Sequence, residues 1–187
     1  MIIGITGTIG SGKGTLVSRL VEKFGFAHFS SRDFISQEIL RRNLPIDRNT
    51  LVEVANDLRS KHSPAFVIEE LYKKAVQAGG NAIIESVRTL GEVDFLRKQK
   101  LQGNFFLFAV DADPKIRYER VLLRKSATDQ ISFEKFLADE KREISADDPN
   151  KQNLSECIKK ADFTFTNNGE FDALNLQIDA VMKKILQ

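Results

Sequence analysis

The sequence predicts an α/β fold: three layers, with a five-stranded parallel sheet between helices on both faces. Three observations predict it. Strand-like and helix-like segments alternate along the chain, the pattern of repeated crossover units. The run Phe105-Phe-Leu-Phe-Ala-Val110 is continuously apolar, as suits a central parallel strand buried on both faces. The first apolar run breaks straight into a glycine-rich loop with an amphipathic helix behind it.

Taken in order, Ile2–Thr6 reads as a buried strand. In Lys13–Phe24, Leu16, Val17, Leu20, Val21 and Phe24 form a helical stripe, and Gly25 is a suitable stop. Ala27–Ser30 is a short second strand and 33–42 a helix, broken before Pro45. Helices follow at 51–59 and 65–77, the latter ended by Gly79-Gly80. Ala82–Glu85 is the third strand, 90–100 a helix and 104–111 the fourth strand. Asp113-Pro114 reads as N-cap and first residue of a helix reaching about 124. Helices at Phe133–Ile144 and 154–160, a strand at 162–166, a turn at Asn167-Asn-Gly169 and a helix at 171–186 complete the chain.

With 187 residues, the expectation is one domain over 1–187, with an acceptor-binding insert at about 33–79 and a lid at about 124–145. Hydrophobic residues make up 42% and charged residues 29%, enough apolar content for a core. A net charge of +2 argues against nucleic acid as the main partner and suits a basic pocket for a small anionic substrate. Cys157 is the sole cysteine, so no internal disulfide forms, and with only His28 and His62 beside it no Cys/His metal cluster is available. Cys157 reads as a partly buried helix residue. The apolar start lacks a basic flank and is used by the first strand, and no run reaches membrane-spanning length. These features lead us to expect a cytoplasmic protein without a membrane partner; oligomeric state is not legible.

Gly7, Gly12 and Lys13 fit the spacing G-x-x-x-x-G-K, with a hydroxyl at Thr15 one place later than usual because Gly14 intervenes. Such a loop turns successive backbone N–H groups toward a polyphosphate, and the following helix adds the positive end of its dipole. Ile9, Gly10, Ser11, Gly12 and Gly14 would contribute that backbone, and Lys13 a mobile charge for the outer phosphates. The donor expected is ATP with Mg²⁺.

Ligands in parallel sheets gather at the carboxyl ends of strands. There the sequence places Ser30-Ser-Arg-Asp33, Glu85-Ser-Val-Arg88, Asp111-Ala-Asp113 and Asn167-Asn168. Asp33 is the acid expected nearest the transferred group, with a helix cap as the plain alternative. Glu85 is a Mg²⁺-associated candidate, and Thr15, Asp33 and Glu85 together are the expected metal-side residues. Asp111 and Asp113 read as turn and cap residues. Arginines there would clamp phosphates through paired hydrogen bonds. Arg120 and Arg124 share a helix face and lead into the polar stretch 126–142. That stretch reads as a lid bringing Arg124 and Lys141 or Arg142 to the phosphates.

Residues 7–15 resemble the loop of nucleoside monophosphate kinases, in which Gly-Lys-Gly-Thr is frequent. Phe29-Ser-Ser-Arg-Asp33 is similar to that family's Ser-Thr-Gly-Asp segment, and Ile83-Ile-Glu-Ser-Val-Arg88 to its stretch carrying an acid and an acceptor-phosphate arginine. Arg120 and Arg124 match the family's paired arginines, the first near adenine and the second on the phosphates. A closer likeness is to dephospho-CoA kinase and its uncharacterised relatives, through residues 4–13 and 161–169. Three departures bear on the acceptor: Gly14 stands where dephospho-CoA kinases usually have Ser, Glu85-Ser-Val-Arg88 replaces their Pro-Leu-Leu-Phe-Glu type segment, and Ser36 stands where adenylate kinases have an AMP-binding arginine.

The resemblance implies a P-loop NTPase fold. It also implies a kinase moving the γ-phosphoryl group of ATP to a nucleoside monophosphate or nucleotide-like small molecule. Lys13, Asp33, Arg88, Arg124 and Arg142 would then act on the reacting groups. The alternatives are phosphorylation of a ribose hydroxyl, as in dephospho-CoA kinase, and an ATP-operated switch or assembly factor.

Overall fold

The structure, a computed structural model, describes residues 1–99, 104–124, 131–145 and 148–186. Five strands, β1 (Ile2–Thr6), β2 (Ala27–Ser30), β3 (Ala82–Glu85), β4 (Phe105–Asp111) and β5 (Phe163–Thr166), form one parallel sheet in the order β2-β3-β1-β4-β5. β1 lies at its centre, with Ile3 opposite Ile83 on one side and Phe106 on the other. The chain runs outward from β1 first to one edge and then to the other, so the topological switch point, where ligands of open sheets bind, falls at the end of β1.

The helices are α1 (Lys13–Phe24), α2 (Ser31–Arg41), α3 (Arg48–Lys61), α4 (Phe66–Ala78), α5 (Leu90–Lys98), α6 (Pro114–Leu123), α7 (Phe133–Ile144), α8 (Leu154–Lys159) and α9 (Phe171–Ile185). Side chains alternate across each strand, so the sheet supports two cores. Ile3, Ile5, Ile83, Phe108, Val110 and Phe165 pack with Leu16 and Leu20 of α1 and Leu174, Ile178 and Met182 of α9. Ile84, Leu107 and Phe105 face the other way, against Ile35 and Ile39 of α2, Val54 and Leu58 of α3, and Ile68 and Leu71 of α4. The segment expected as an acceptor-binding insert therefore shares its core with the sheet.

Local signals set most boundaries. Gly25 adopts the left-handed conformation and its N–H caps the carbonyls of Leu20 and Val21, ending α1 where expected. The Asp113 side chain accepts from the Lys115 N–H, with Pro114 opening α6. α3 starts earlier than expected, at Arg48, because Asp47 caps it, accepting from the Thr50 N–H, and it runs on to Lys61, where the His62 N–H bonds the Leu58 carbonyl. α5 is described to Lys98, and the expected end of that helix at residue 100 lies outside the described residues. The same holds for residues 125–130 of the expected lid.

Cys157 is buried rather than partly buried. Burial pushes its thiol up to about 12, which makes it an inert core group. Among the described residues no helix is long and apolar enough to cross a membrane.

Candidate active site

Two of the tight approaches in the loop between β1 and α1 are made by residues far along the chain. Gly10 has φ +75°, and a Cβ there would stand 2.4 Å from the Arg117 carbonyl oxygen. Gly12 has φ +112°, and a Cβ there would stand 2.3 Å from Asn167 Nδ2. Only glycine satisfies both the backbone conformation and the space.

Polar contacts hold the same loop from the far half of the chain. Asn167 donates from Nδ2 to the Ser11 carbonyl at 2.8 Å. Arg120 Nη1 donates to the Asn167 carbonyl at 2.8 Å, so Arg120 braces the turn that braces the loop. Thr8 Oγ1 donates to Asp111 Oδ1 at 2.7 Å, across the end of β4. Arg117 is 4% exposed and donates to the carbonyls of Ala112 and Ile9 and to Glu140 of α7.

Lys13 folds back over this loop. Its Nζ donates to the carbonyls of Gly7 and Thr8 at 2.9 and 2.7 Å. Burial, and then the charge of Arg88 with a smaller push from Arg124, lowers its pKa to about 7 against the opposing pull of Glu85 and Glu143. In the ligand-free protein the ammonium is thus poorly solvated and faces like charges, which is the condition a polyphosphate relieves.

A cleft of about 240 Å³ opens in front of Lys13. Ile9 and Gly10 form one wall, Glu85, Ser86 and Arg88 after β3 a second, and Ser30, Ser31 and Arg32 at the start of α2 a third. Arg48 and Arg59 of α3, Arg124 at the end of α6, Glu143 of α7 and Gln152 complete it. Burial alone would raise the Glu85 carboxyl. The hydrogen bond and charge of His28, at 2.9 Å, together with Lys13 and Arg88, hold it below the usual range instead. Ser86 has φ +71°, an uncommon conformation for a residue with a Cβ, at the point where β3 turns into the cleft.

Of the residues expected from sequence, Ile9, Gly10, Lys13, Glu85, Arg88 and Arg124 converge on this cleft. Thr15 is half-buried in the first turn of α1, and Gly14 is exposed beside it. Asp33 is not brought in. Ser30 caps α2, accepting from the Asp33 N–H at 3.1 Å, so the helix begins at Ser31. Helical periodicity then turns Arg32 and Ile35 to the cleft and leaves Asp33 exposed. Arg142 is not brought in either. It lies on the outer side of α7, 3.7 Å from Asp139 and 3.4 Å from Asn49.

Sequence reasoning missed Arg48, Arg59 and Glu143. Arg59 and Glu92 form a pair exposed by 1% and 0%, with Arg59 Nε and Nη2 both on Glu92 Oε1. The other oxygen of Glu92 accepts from the N–H groups of Arg88 and Thr89, so this pair fixes the backbone that presents Arg88. The signal was present: Thr89-x-x-Glu92 is a capping box, and Arg59 follows the buried Ala55 and Leu58 on α3.

A family model described as an AAA domain matches residues 3–146. A UPF0200 protein of Pyrococcus abyssi is 30% identical over all of this chain and 97% of its own length. The chain belongs to both families. Among solved structures, shikimate kinase from Bacteroides thetaiotaomicron superposes with a TM-score of 0.62 at 13% identity, covering 100% of this chain and 99% of that one. Deoxyadenosine kinase from M. mycoides superposes with a TM-score of 0.54 at 16% identity, over 100% and 99% of the two chains. At these identities the likeness concerns the fold, which is that of P-loop kinases. It matches the expected three-layer architecture, and the finer likeness to dephospho-CoA kinase is not among what these similarities show.

Proposed function

We propose that this UPF0200 protein is a phosphotransferase moving the γ-phosphoryl group of ATP to a nucleoside monophosphate or nucleotide-like small molecule. The observation that carries the reading is the convergence of Lys13, Arg88 and Arg124 on one cleft in front of the glycine loop. Kinases of small molecules among the structural neighbours support the acceptor class. The arginines of the cleft come from the same chain, which supports transfer chemistry that needs no partner protein.

In this reading the loop backbone and Lys13 hold the ATP phosphates, Arg88 holds the acceptor's anionic group and Arg124 neutralises charge on the moving phosphoryl group. Glu85, kept ionised at the cleft wall, takes the role of the metal-side carboxylate, and Asp33 lies exposed on α2. The catalytic contribution is positioning and electrostatic complementarity. Mg²⁺ bound with ATP would supply charge neutralisation to the phosphates. The donor set fits that ion. Among the described residues no three His, Cys, Asp or Glu cluster as a self-sufficient metal cage. Mg²⁺ needs only one or two protein oxygens beside phosphates and water, for which Thr15 and Glu85 are the candidates.

The test is Mg²⁺-dependent ADP release against nucleoside monophosphates, deoxynucleoside monophosphates and dephospho-CoA, with an acceptor-free control. Release stimulated by one nucleoside monophosphate supports the reading and names the substrate. Stimulation by dephospho-CoA alone moves the acceptor atom to a ribose hydroxyl. Release indifferent to every acceptor would return the protein to the switch class.

A further inference from the structure

Two arginines of the cleft already hold an anion, and it belongs to the protein itself. Arg48 Nη2 donates to Glu143 Oε1 at 2.8 Å, and Arg88 Nη1 donates to Glu143 Oε2 at 2.9 Å. One carboxylate is thus shared between two guanidinium groups. Glu143 is 6% exposed, and all three residues line the cleft that contains Lys13. Burial would raise the Glu143 carboxyl, but Arg88 and Arg48 outweigh it and keep the group ionised.

The clamp is incompletely used. Nε and Nη1 of Arg48 are buried and, among the described residues, make no hydrogen bond; Nε has an ion pair with Asp139 at 3.6 Å. A guanidinium offers five donors in a planar fork. A single carboxylate shared between two such forks leaves donors over, which an oxyanion with more oxygens would engage. The three members also come from three parts of the fold: Arg48 opens α3, Arg88 follows β3 and Glu143 lies near the end of α7. They are 95 and 55 residues apart, so local helix pairing does not explain the contact.

We propose that Glu143 occupies the acceptor's anion subsite in the ligand-free protein and competes with the phosphate or carboxylate group of the acceptor for Arg48 and Arg88. The inference deepens the phosphotransfer reading and rests on it for the occupant's identity. It makes Glu143 a specificity-determining residue. A neutral acceptor has nothing with which to displace the carboxylate, and phosphate displaces it more readily than a carboxylate does. Because Glu143 sits on α7, its displacement removes one polar tie between that helix and α3, beside those of Arg48 with Asp139 and Arg142 with Asn49.

The test is calorimetric titration of the full chain with inorganic phosphate and, separately, with acetate, at constant ionic strength. For a subsite self-occupied about nine-tenths of the time, Glu143→Gln binds phosphate about tenfold more tightly than the wild type. Acetate binding gains in the same sense from a weaker starting affinity. Adding Arg48→Ala to Glu143→Gln removes the gain, which separates this subsite from phosphate held in the glycine loop. A folded Glu143→Gln protein with unchanged or weaker phosphate binding overturns the proposal, as does a gain that survives Arg48→Ala. If Glu143 were only a strut between α7 and α3, its loss would lower the melting temperature without tightening any anion. Should Glu143→Gln fail to fold, Glu143→Asp decides: a gain of about threefold from its shorter reach supports the proposal, and no gain overturns it. Absence of acceptor-dependent turnover in the wild type, with the phosphate gain of Glu143→Gln intact, would count against phosphotransfer and leave the subsite standing.

Discussion

Polyphosphate binding by this protein is expected to take up a proton, and Lys13 is the group that takes it. Its pKa of about 7 in the ligand-free protein follows from burial and from Arg88. A bound triphosphate supplies the opposite charge at close range and returns the group toward its ordinary value near 10.5. The sign follows from linkage. Below pH 7 the ammonium is already charged and affinity is at its plateau; above it, each binding event must first protonate an amine. Uptake is about half a proton at pH 7 and about 0.9 at pH 8, and affinity falls about 50-fold between pH 7 and pH 9. The phosphates themselves are ionised through this range. Titration with a non-hydrolysable ATP analogue in buffers of different ionisation enthalpy measures the uptake directly. Lys13→Arg, charged throughout, should bind without it. Tight binding with uptake below about 0.2 proton at pH 8 would refute the argument, and so would uptake that persists in Lys13→Arg.

Other outcomes are equally specific. Arg59→Ala leaves the Glu92 carboxylate buried without its partner and should cost about 3–5 kcal/mol in urea unfolding. Gly12→Ala meets both a forbidden backbone conformation and Asn167, and should lower stability by about 1–3 kcal/mol while abolishing ATP binding. By contrast, a Cβ at Gly14 meets no atom within 4 Å. Gly14→Ala in the first turn of α1 should therefore gain about 0.5–1 kcal/mol in the same assay. Arg124→Ala should lower kcat more than it raises KM for ATP; a pure KM effect would demote Arg124 to a ground-state contact. Cys157 should react with thiol reagents only at the rate of global unfolding.

The parts of this molecule legible in the sequence are those set by neighbours along the chain. The glycine loop, the Gly25 stop, the Asp113-Pro114 start and the apolar run of β4 each carry their cause within a few residues, and the structure repeats them. Asp33 was misplaced because a single hydroxyl, Ser30, decides where α2 starts, and a two-residue change of start turns a different side chain to the cleft. Arg48 and Glu143 were invisible for another reason. A charge on a helix reads as a solvated face until its partner, 95 residues away, is placed opposite it. Arg117 is buried because the carbonyls of Ala112 and Ile9 converge on it, a contact that its neighbours along the helix do not announce.

The two approaches that shape the glycine loop also set a schedule for making it. β1 is made before its neighbours in the sheet, β3 and β4, and Gly10 and Gly12 press against Arg117 and Asn167. The loop therefore cannot take its final form until synthesis has passed Asn167, and the contacts that complete it are long-range ones. A nascent chain truncated before Asn167 would carry the whole nucleotide-loop sequence and still lack the bond from Asn167 to Ser11. On the proposed function, nucleotide capture would report that β5 and the turn after it have arrived, and ATP would act on newly made chains as a ligand that selects those with an assembled loop.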